Sequence, residues 1–109
     1  MNYIKNFYAK TKIDSSEIEE LSNDMLIELE YYKLKGEKSY GIEVVKKNLQ
    51  NNIMNIEEKV IYALCREETQ VNKLLKLLVD NKVTPILVDD ILEDLRKTNF
   101  MYGDWQAQI

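Results

Sequence analysis

The sequence contains no histidine and a single cysteine, Cys65. Without histidine, Ser-His-Asp and Cys-His catalytic arrangements are excluded, and so is the commonest metal ligand. One cysteine allows no intramolecular disulfide, so nothing indicates an oxidising compartment. Cys65 precedes the acidic pair Glu67 and Glu68, whose negative charges disfavour a reactive thiolate and so favour an inert, buried thiol. The positive charge of Arg66 has the opposite effect on the thiolate. These absences favour a protein that is not an enzyme and that needs no metal or other cofactor.

Glycine, proline and arginine are also scarce among the 109 residues, with three, one and two copies. Few Gly and Pro leave little room for linkers, and the length suits one domain. A net charge of −4 and the near absence of arginine argue against nucleic acid as a partner, because phosphates favour clustered Lys and Arg. No apolar run approaches the ~20 residues that span a bilayer, and the N-terminus lacks a signal-peptide core. We therefore expect a cytoplasmic protein.

Three stretches of the chain are typical of β-strands. Residues 26–34 and 40–47 alternate apolar and polar side chains, and five polar residues join them, which predicts an antiparallel hairpin. Gly41 inside the second stretch indicates a bulge or a close backbone approach. After a polar, Asn-rich link at 48–55, residues 56–64 are rich in β-branched and aromatic residues. We favour a strand over a helix there because the run is short.

Two helices follow these strands. Apolar residues repeat with helical spacing over 71–78, and Asn81 is placed to end that helix in the left-handed conformation. Thr84 then has the position and chemistry of an N-cap, and Pro85 suits the first helical turn. The helix after Pro85 has an apolar stripe whose members are spaced i, i+3, i+4 and i+7: Val88, Ile91, Leu92 and Leu95.

The opposite side of this last helix is acidic. It carries four carboxylates within about two turns: Asp89, Asp90, Glu93 and Asp94. Such pairs are more often a solvated helix face than a metal site, and the alternating ligand spacing of a calcium loop is missing. We interpret this surface as a candidate contact for a basic partner. A helix N-terminus at Thr84 is the alternative, as an anion-binding position.

Residues 1–25 form an N-terminal segment in which aromatic and basic residues mix without a clear period. Ser16 and Glu19 have capping-box spacing, which predicts a short helix over 16–23. The tail at 98–109 carries three aromatic side chains that suit either packing on the core or docking on a partner: Phe100, Tyr102 and Trp105. The order strand–strand–strand–helix–helix over 26–97 predicts an α+β domain with a three-stranded antiparallel sheet and two helices on one face.

Four strings of the chain resemble a known family: residues 29–32 (LEYY), 40–47 (YGIEVVKK), 71–85 (VNKLLKLLVDNKVTP) and 90–94 (DILED). The family comprises small uncharacterised proteins of low-GC Gram-positive bacteria, chiefly clostridia, and is a domain of unknown function. The resemblance covers about residues 26–95. It implies no activity, cofactor or catalytic residue.

The sequence therefore leads to a non-enzymatic interaction or regulatory module that uses the acidic helix and the aromatic tail. Two alternatives stay open. One is a small-molecule or anion-binding domain with a pocket between the sheet and the last helix, and the other is an inhibitor of a bacterial enzyme. The tyrosines of the strands are usually packing residues, but a sheet used as a recognition platform is a further reading. Because the core is small, a homodimer is a candidate assembly as well.

Overall fold

A computed structural model describes residues 2–13 and 26–97. They form a four-stranded sheet, two α-helices and one 3-10 turn. In chain order these are β1 (Ile4–Ile13), β2 (Leu26–Lys35), β3 (Tyr40–Gln50), β4 (Ile53–Cys65), α1 (Glu68–Asp80), the 3-10 turn (Pro85–Leu87) and α2 (Val88–Lys97). Every neighbouring pair of strands is antiparallel, and the sheet order is β1-β2-β3-β4. The α+β class is confirmed.

The prediction of three strands is wrong, because β1 adds a fourth strand at one edge of the sheet. Its pairing with β2 shifts register between Phe7 and Ala9, so Tyr8 is an extra residue in the ladder. Phe7 and Ala9 then lie on opposite faces of the sheet although they are two residues apart. This bulge breaks the period of two on which strand prediction depends.

The hairpin of β2 and β3 and the strand β4 are present as predicted. The Asn-rich link predicted at 48–55 is not a separate loop. Both strands continue into it and meet at a two-residue turn, Asn51 and Asn52, whose φ angles are 53° and 64°. Two successive positive φ values are those of a type I′ hairpin turn, whose twist matches the twist of the strands.

Gly41 marks a close approach of two backbones, as expected. A Cβ atom at this position would lie 2.2 Å from the carbonyl oxygen of Ile61 on β4. The pairing of β3 with β4 is irregular here, and Ala63 adopts a φ of 54°. Only glycine allows β4 to bend so close to β3.

Both helices cover the same face of the sheet, which we call the covered face. Its strand residues pack with the apolar sides of α1 and α2 into one buried cluster: Leu29, Tyr31, Ile42, Val44, Ile61, Leu64, Cys65, Val71, Leu74, Leu75, Leu78, Val83, Val88 and Leu92. The buried Tyr31 hydroxyl donates a 2.9 Å hydrogen bond to the Val83 carbonyl, tying β2 to the connection between the helices. Lys33 of β2 reaches Glu68 of α1 at 2.6 Å.

The ends of the helices differ from the sequence-based expectation in two places. Asn81 has φ −102°, and its side-chain amide bonds the Leu77 carbonyl, whereas Lys82 takes the positive φ of 49°. Thr84 makes no side-chain capping bond; its backbone carbonyl accepts the amide of Leu87 and so closes the 3-10 turn. The chain bends through Lys82 because Val83 must reach the core, where it is buried.

Candidate functional site

The acidic side of α2 is solvent-exposed at most of its predicted positions. Asp90, Glu93 and Asp94 are exposed, and Glu93 contacts Lys97 at 3.6 Å. Asp89 differs because its carboxylate pairs with Lys59 of β4 at 2.9 Å. The four carboxylates therefore do not form one cluster. In residues 2–13 and 26–97, no three Cys, Asp or Glu side chains are placed to hold a metal ion.

A shallow groove of about 380 Å³ lies between β4 and the start of the last helix. Its lining comprises Glu57, Glu58, Lys59, Pro85, Ile86 and Asp89. Ile86 is 79% exposed although it is a large apolar residue. This groove, which we call the β4 groove, runs beside a sheet edge, and it places the acidic start of α2 next to two further carboxylates.

Thr84, the predicted anion-binding position, does not stand at the N-terminus of a regular helix. The chain enters a three-residue 3-10 turn after Thr84 instead of a regular helix. The N-terminal amides of α2 therefore follow Leu87, and the first turn of α2 carries Asp89 and Asp90. Carboxylates at that end interact favourably with the helix dipole and repel a bound anion.

Cys65 is fully buried at the end of β4. Its sulfur lies 3.6 Å from the Glu67 carbonyl oxygen, a contact in which the thiol is a weak donor.

The tail residues Phe100, Tyr102 and Trp105 and the helix predicted at 16–23 lie outside the described residues. The tyrosines of the strands are divided between the faces, since Tyr31 is in the core and Tyr32 is on the opposite side.

The second face of the sheet, which we call the open face, carries a network of charged and aromatic side chains. Tyr32 donates a 2.7 Å hydrogen bond to Glu30, which also accepts a 3.0 Å bond from Lys47. The hydrogen bond from Tyr32 lowers the pKa of Glu30, and the same bond raises the pKa of Tyr32 to about 12. Phe7 packs edge-on against Tyr32 with ring centroids 5.7 Å apart.

A cleft of about 730 Å³ opens on this face where β1 begins and β4 bends. We call it the tyrosine cleft. It is lined by Asn2, Tyr3, Lys5, Leu34, Glu43, Tyr62 and Ala63. The rings of Tyr3 and Tyr62 lie 4.9 Å apart, and Lys5 pairs with Glu43 at 3.2 Å.

Sequence reasoning missed the tyrosine cleft because it depends on β1. A local signal existed, since Tyr3, Lys5 and Phe7 alternate with period two before the bulge and all reach the open face. Three residues are too few to separate such alternation from chance. The buried position of Glu43 required knowledge of its neighbours from other strands.

Comparison with protein-family models finds a match that spans most of the chain, from residue 10 to residue 98. Its description is a family of unknown function, DUF6514. The chain belongs to this family. The match begins inside β1, so the DUF6514 region includes part of the strand that the resemblance over residues 26–95 omitted. Comparisons with curated proteins and with solved structures found no match.

The helices of the described region are too short and too polar to cross a membrane.

Proposed function

We propose that this DUF6514 protein is a non-enzymatic, cytoplasmic interaction module whose β4 groove binds an extended, basic and apolar segment of a partner protein. The observation that carries the proposal is the position of the groove between a sheet edge and an exposed Ile86. The same proposal includes a low-GC Gram-positive host, which composition and resemblance support, and a regulatory role, which the exposed acidic side of α2 supports. Inhibition of a bacterial enzyme, the alternative raised by the sequence, would be one form of this interaction role.

The edge of β4 supplies the backbone part of the interaction. β4 is 13 residues long, and in the described ranges 2–13 and 26–97 no strand pairs with its outer edge. Such an edge presents a row of backbone N–H and C=O groups. An extended peptide can add to that row as a further strand, which is a recurrent mode of peptide recognition.

The apolar part comes from the 3-10 turn. Ile86 and Leu87 are exposed there, whereas Pro85, which precedes them, is buried. Pro85 fixes the backbone angle of the turn, so the exposed side chains are held beside β4 without further loss of backbone freedom on binding. Apolar side chains of an added strand would pack against them.

The charge of the groove determines the class of partner. Glu57 and Glu58 line the groove from β4, and both are exposed. Lys59 does not balance them, because its ammonium is paired with Asp89. A segment that alternates basic and apolar side chains is therefore complementary both to the carboxylates of the groove and to its exposed apolar side chains.

The proposal is tested with two synthetic octapeptides, one of alternating Lys and Val and one of alternating Glu and Val. Titration into isotope-labelled protein, followed by amide chemical shifts, should move the signals of residues 55–60 and 86–89 with the basic peptide only. Binding should weaken at high salt, since exposed charge pairs are screened.

Matched variants locate the site on the molecule. Glu58→Lys and Ile86→Ser should each weaken the basic peptide severalfold. Glu37→Lys at the β2–β3 turn and Ile4→Ser on β1 alter positions elsewhere that are also exposed, and these variants should bind like the wild type. Equal binding of both peptides, or shifts confined to other strands, would refute the proposal. A concentration-dependent dimer that occupies the β4 edge and excludes the peptide would also refute it.

A further inference from the structure

The tyrosine cleft lies on the open face of the sheet and is independent of the β4 groove. We propose that it is a binding site for a small organic cation, an amine carried on an aromatic or apolar frame. Three features of the cleft support a cation: a preformed aromatic wall, a buried carboxylate, and a lysine of the chain that already occupies the position of the cation.

The walls of the cleft are held in place by contacts outside it. The Tyr3 hydroxyl and the Ser39 hydroxyl share a 2.9 Å hydrogen bond, and Ser39 is buried. The Tyr3 ring also packs over Gly36, where an added Cβ atom would lie 2.8 Å from it. Tyr62 packs directly against the Tyr3 ring, so the two tyrosines form one aromatic wall, and buried Leu34 adds an apolar lining residue. The volume of the cleft is in the usual range of small-molecule sites.

The carboxylate of Glu43 supplies the charge. Its side chain is only 9% exposed, although no helix of residues 26–97 covers this face of the sheet. A carboxylate removed from water must be compensated by a cation or by hydrogen-bond donors. Glu43 lines the cleft and lies 3.2 Å from the Lys5 ammonium, so the compensation comes from a cation.

Lys5 shows how a ligand cation would be held. Its ammonium lies against Glu43 and is also 4.2 Å from the centre of the Tyr32 ring. Carboxylate contact on one side and an aromatic face on the other is the environment in which ammonium groups are recognised. The Lys5 side chain is 47% exposed and flexible, so it can move into solvent when another cation takes its place.

An anionic ligand is disfavoured by the same geometry. An anion drawn to Lys5 would approach Glu43 at close range and would separate it from its counter-ion. Like charges near each other in a partly desolvated site repel strongly. A neutral aromatic ligand would gain the tyrosine contacts but not the charge interaction.

The experiment compares three probes that share a benzene ring: benzylamine, benzyl alcohol and phenylacetate. Each is titrated into isotope-labelled full-length protein, and the amide shifts of residues 3, 34, 43 and 62 are followed. Benzylamine should bind most tightly of the three. Lys5→Met removes the internal competitor and should tighten benzylamine binding at least fivefold, whereas Lys10→Met on the same strand and face should leave it unchanged.

Two further variants separate the charge from the walls. Glu43→Gln should abolish the preference for benzylamine over benzyl alcohol. Tyr62→Leu changes a half-exposed position outside the buried core and should weaken benzylamine severalfold. The proposal is overturned if phenylacetate binds best, or if Lys5→Met leaves benzylamine binding unchanged. It is equally overturned if Tyr62→Leu binds benzylamine like the wild type.

Discussion

Replacing Tyr31 by phenylalanine tests how the helices are attached to the sheet. The variant keeps the ring in the core and removes only the hydroxyl that bonds the Val83 carbonyl at 2.9 Å. Both residues are buried, so the carbonyl is left without this donor and without access to water. A buried group deprived of its partner costs about 1–3 kcal/mol. We expect a loss of about 1–2 kcal/mol in the free energy of unfolding.

The assay is urea unfolding followed by circular dichroism, with Tyr32→Phe as the matched control. Tyr32 also donates a hydrogen bond, but to the carboxylate of Glu30 on the open face, which retains Lys47 as a partner. The control should therefore lose less than about 1 kcal/mol. In thermal unfolding, each kcal/mol should lower Tm by roughly 4–8 °C for a domain of about this size. If the two variants lose the same stability, the Tyr31 bond does not hold the helices as inferred.

The stability of the protein at alkaline pH is a second test of the burial of Tyr31. Burial raises the pKa of Tyr31 well above its ordinary value, whereas in the unfolded chain the tyrosine ionises near pH 10. Between these values the unfolded state binds fewer protons than the folded state, so stability falls as pH rises. Tyr31→Phe should lack this component, and the stability difference from wild type should shrink above about pH 10. A difference that stays constant to pH 11.5 would refute the assignment.

Three further results are expected. Gly41→Ala should lower the free energy of unfolding by about 3 kcal/mol or more, because the added methyl group would lie 2.2 Å from a backbone oxygen of β4. Gly36→Ala should cost less, because its nearest neighbour is a side-chain ring, that of Tyr3, at 2.8 Å. Leu75 is fully buried, so Leu75→Ala should lower the free energy of unfolding in urea by about 2–5 kcal/mol. Ile86 is mostly exposed, so Ile86→Ala should lower it by less than about 0.5 kcal/mol. The depressed pKa of Glu30 stabilises the fold above the ordinary carboxyl pKa, and this contribution is lost as pH falls through the lowered value. Acid titration of Glu30→Gln should therefore show a shallower loss of stability than wild type, and an identical profile would contradict that pairing.

Much of the fold follows from local periodicity. The alternation in 26–34 and 40–47 correctly predicts β2 and β3, and it identifies Leu29 and Val44 as core residues. Helical spacing likewise identifies the buried sides of α1 and α2, with Leu75 and Leu92 fully buried. These predictions succeed because each element must place apolar side chains on one side to join a common core, whatever its partners are.

Other features depend on contacts between distant segments. β1 has no fully buried side chain and an extra residue at Tyr8, so its pairing with β2 rather than its own pattern makes it a strand. At the other end, Lys82 rather than Asn81 takes the left-handed conformation. Residue preference alone favours asparagine, but the burial of Val83 and its bond to Tyr31 determine where the chain turns.

The candidate sites likewise combine features that follow from one segment of the chain with features that depend on contacts between distant segments. Charge and spacing within single segments predict the α+β class, the strands β2 to β4, both helices and the acidic side of α2. The pairing of Asp89 with Lys59 beside an exposed sheet edge, and that of Lys5 with Glu43 within a cleft, arise from the folded arrangement of the strands and helices. Burial and ion pairing depend on neighbours in space, and these partners are 30 and 38 residues apart in the chain.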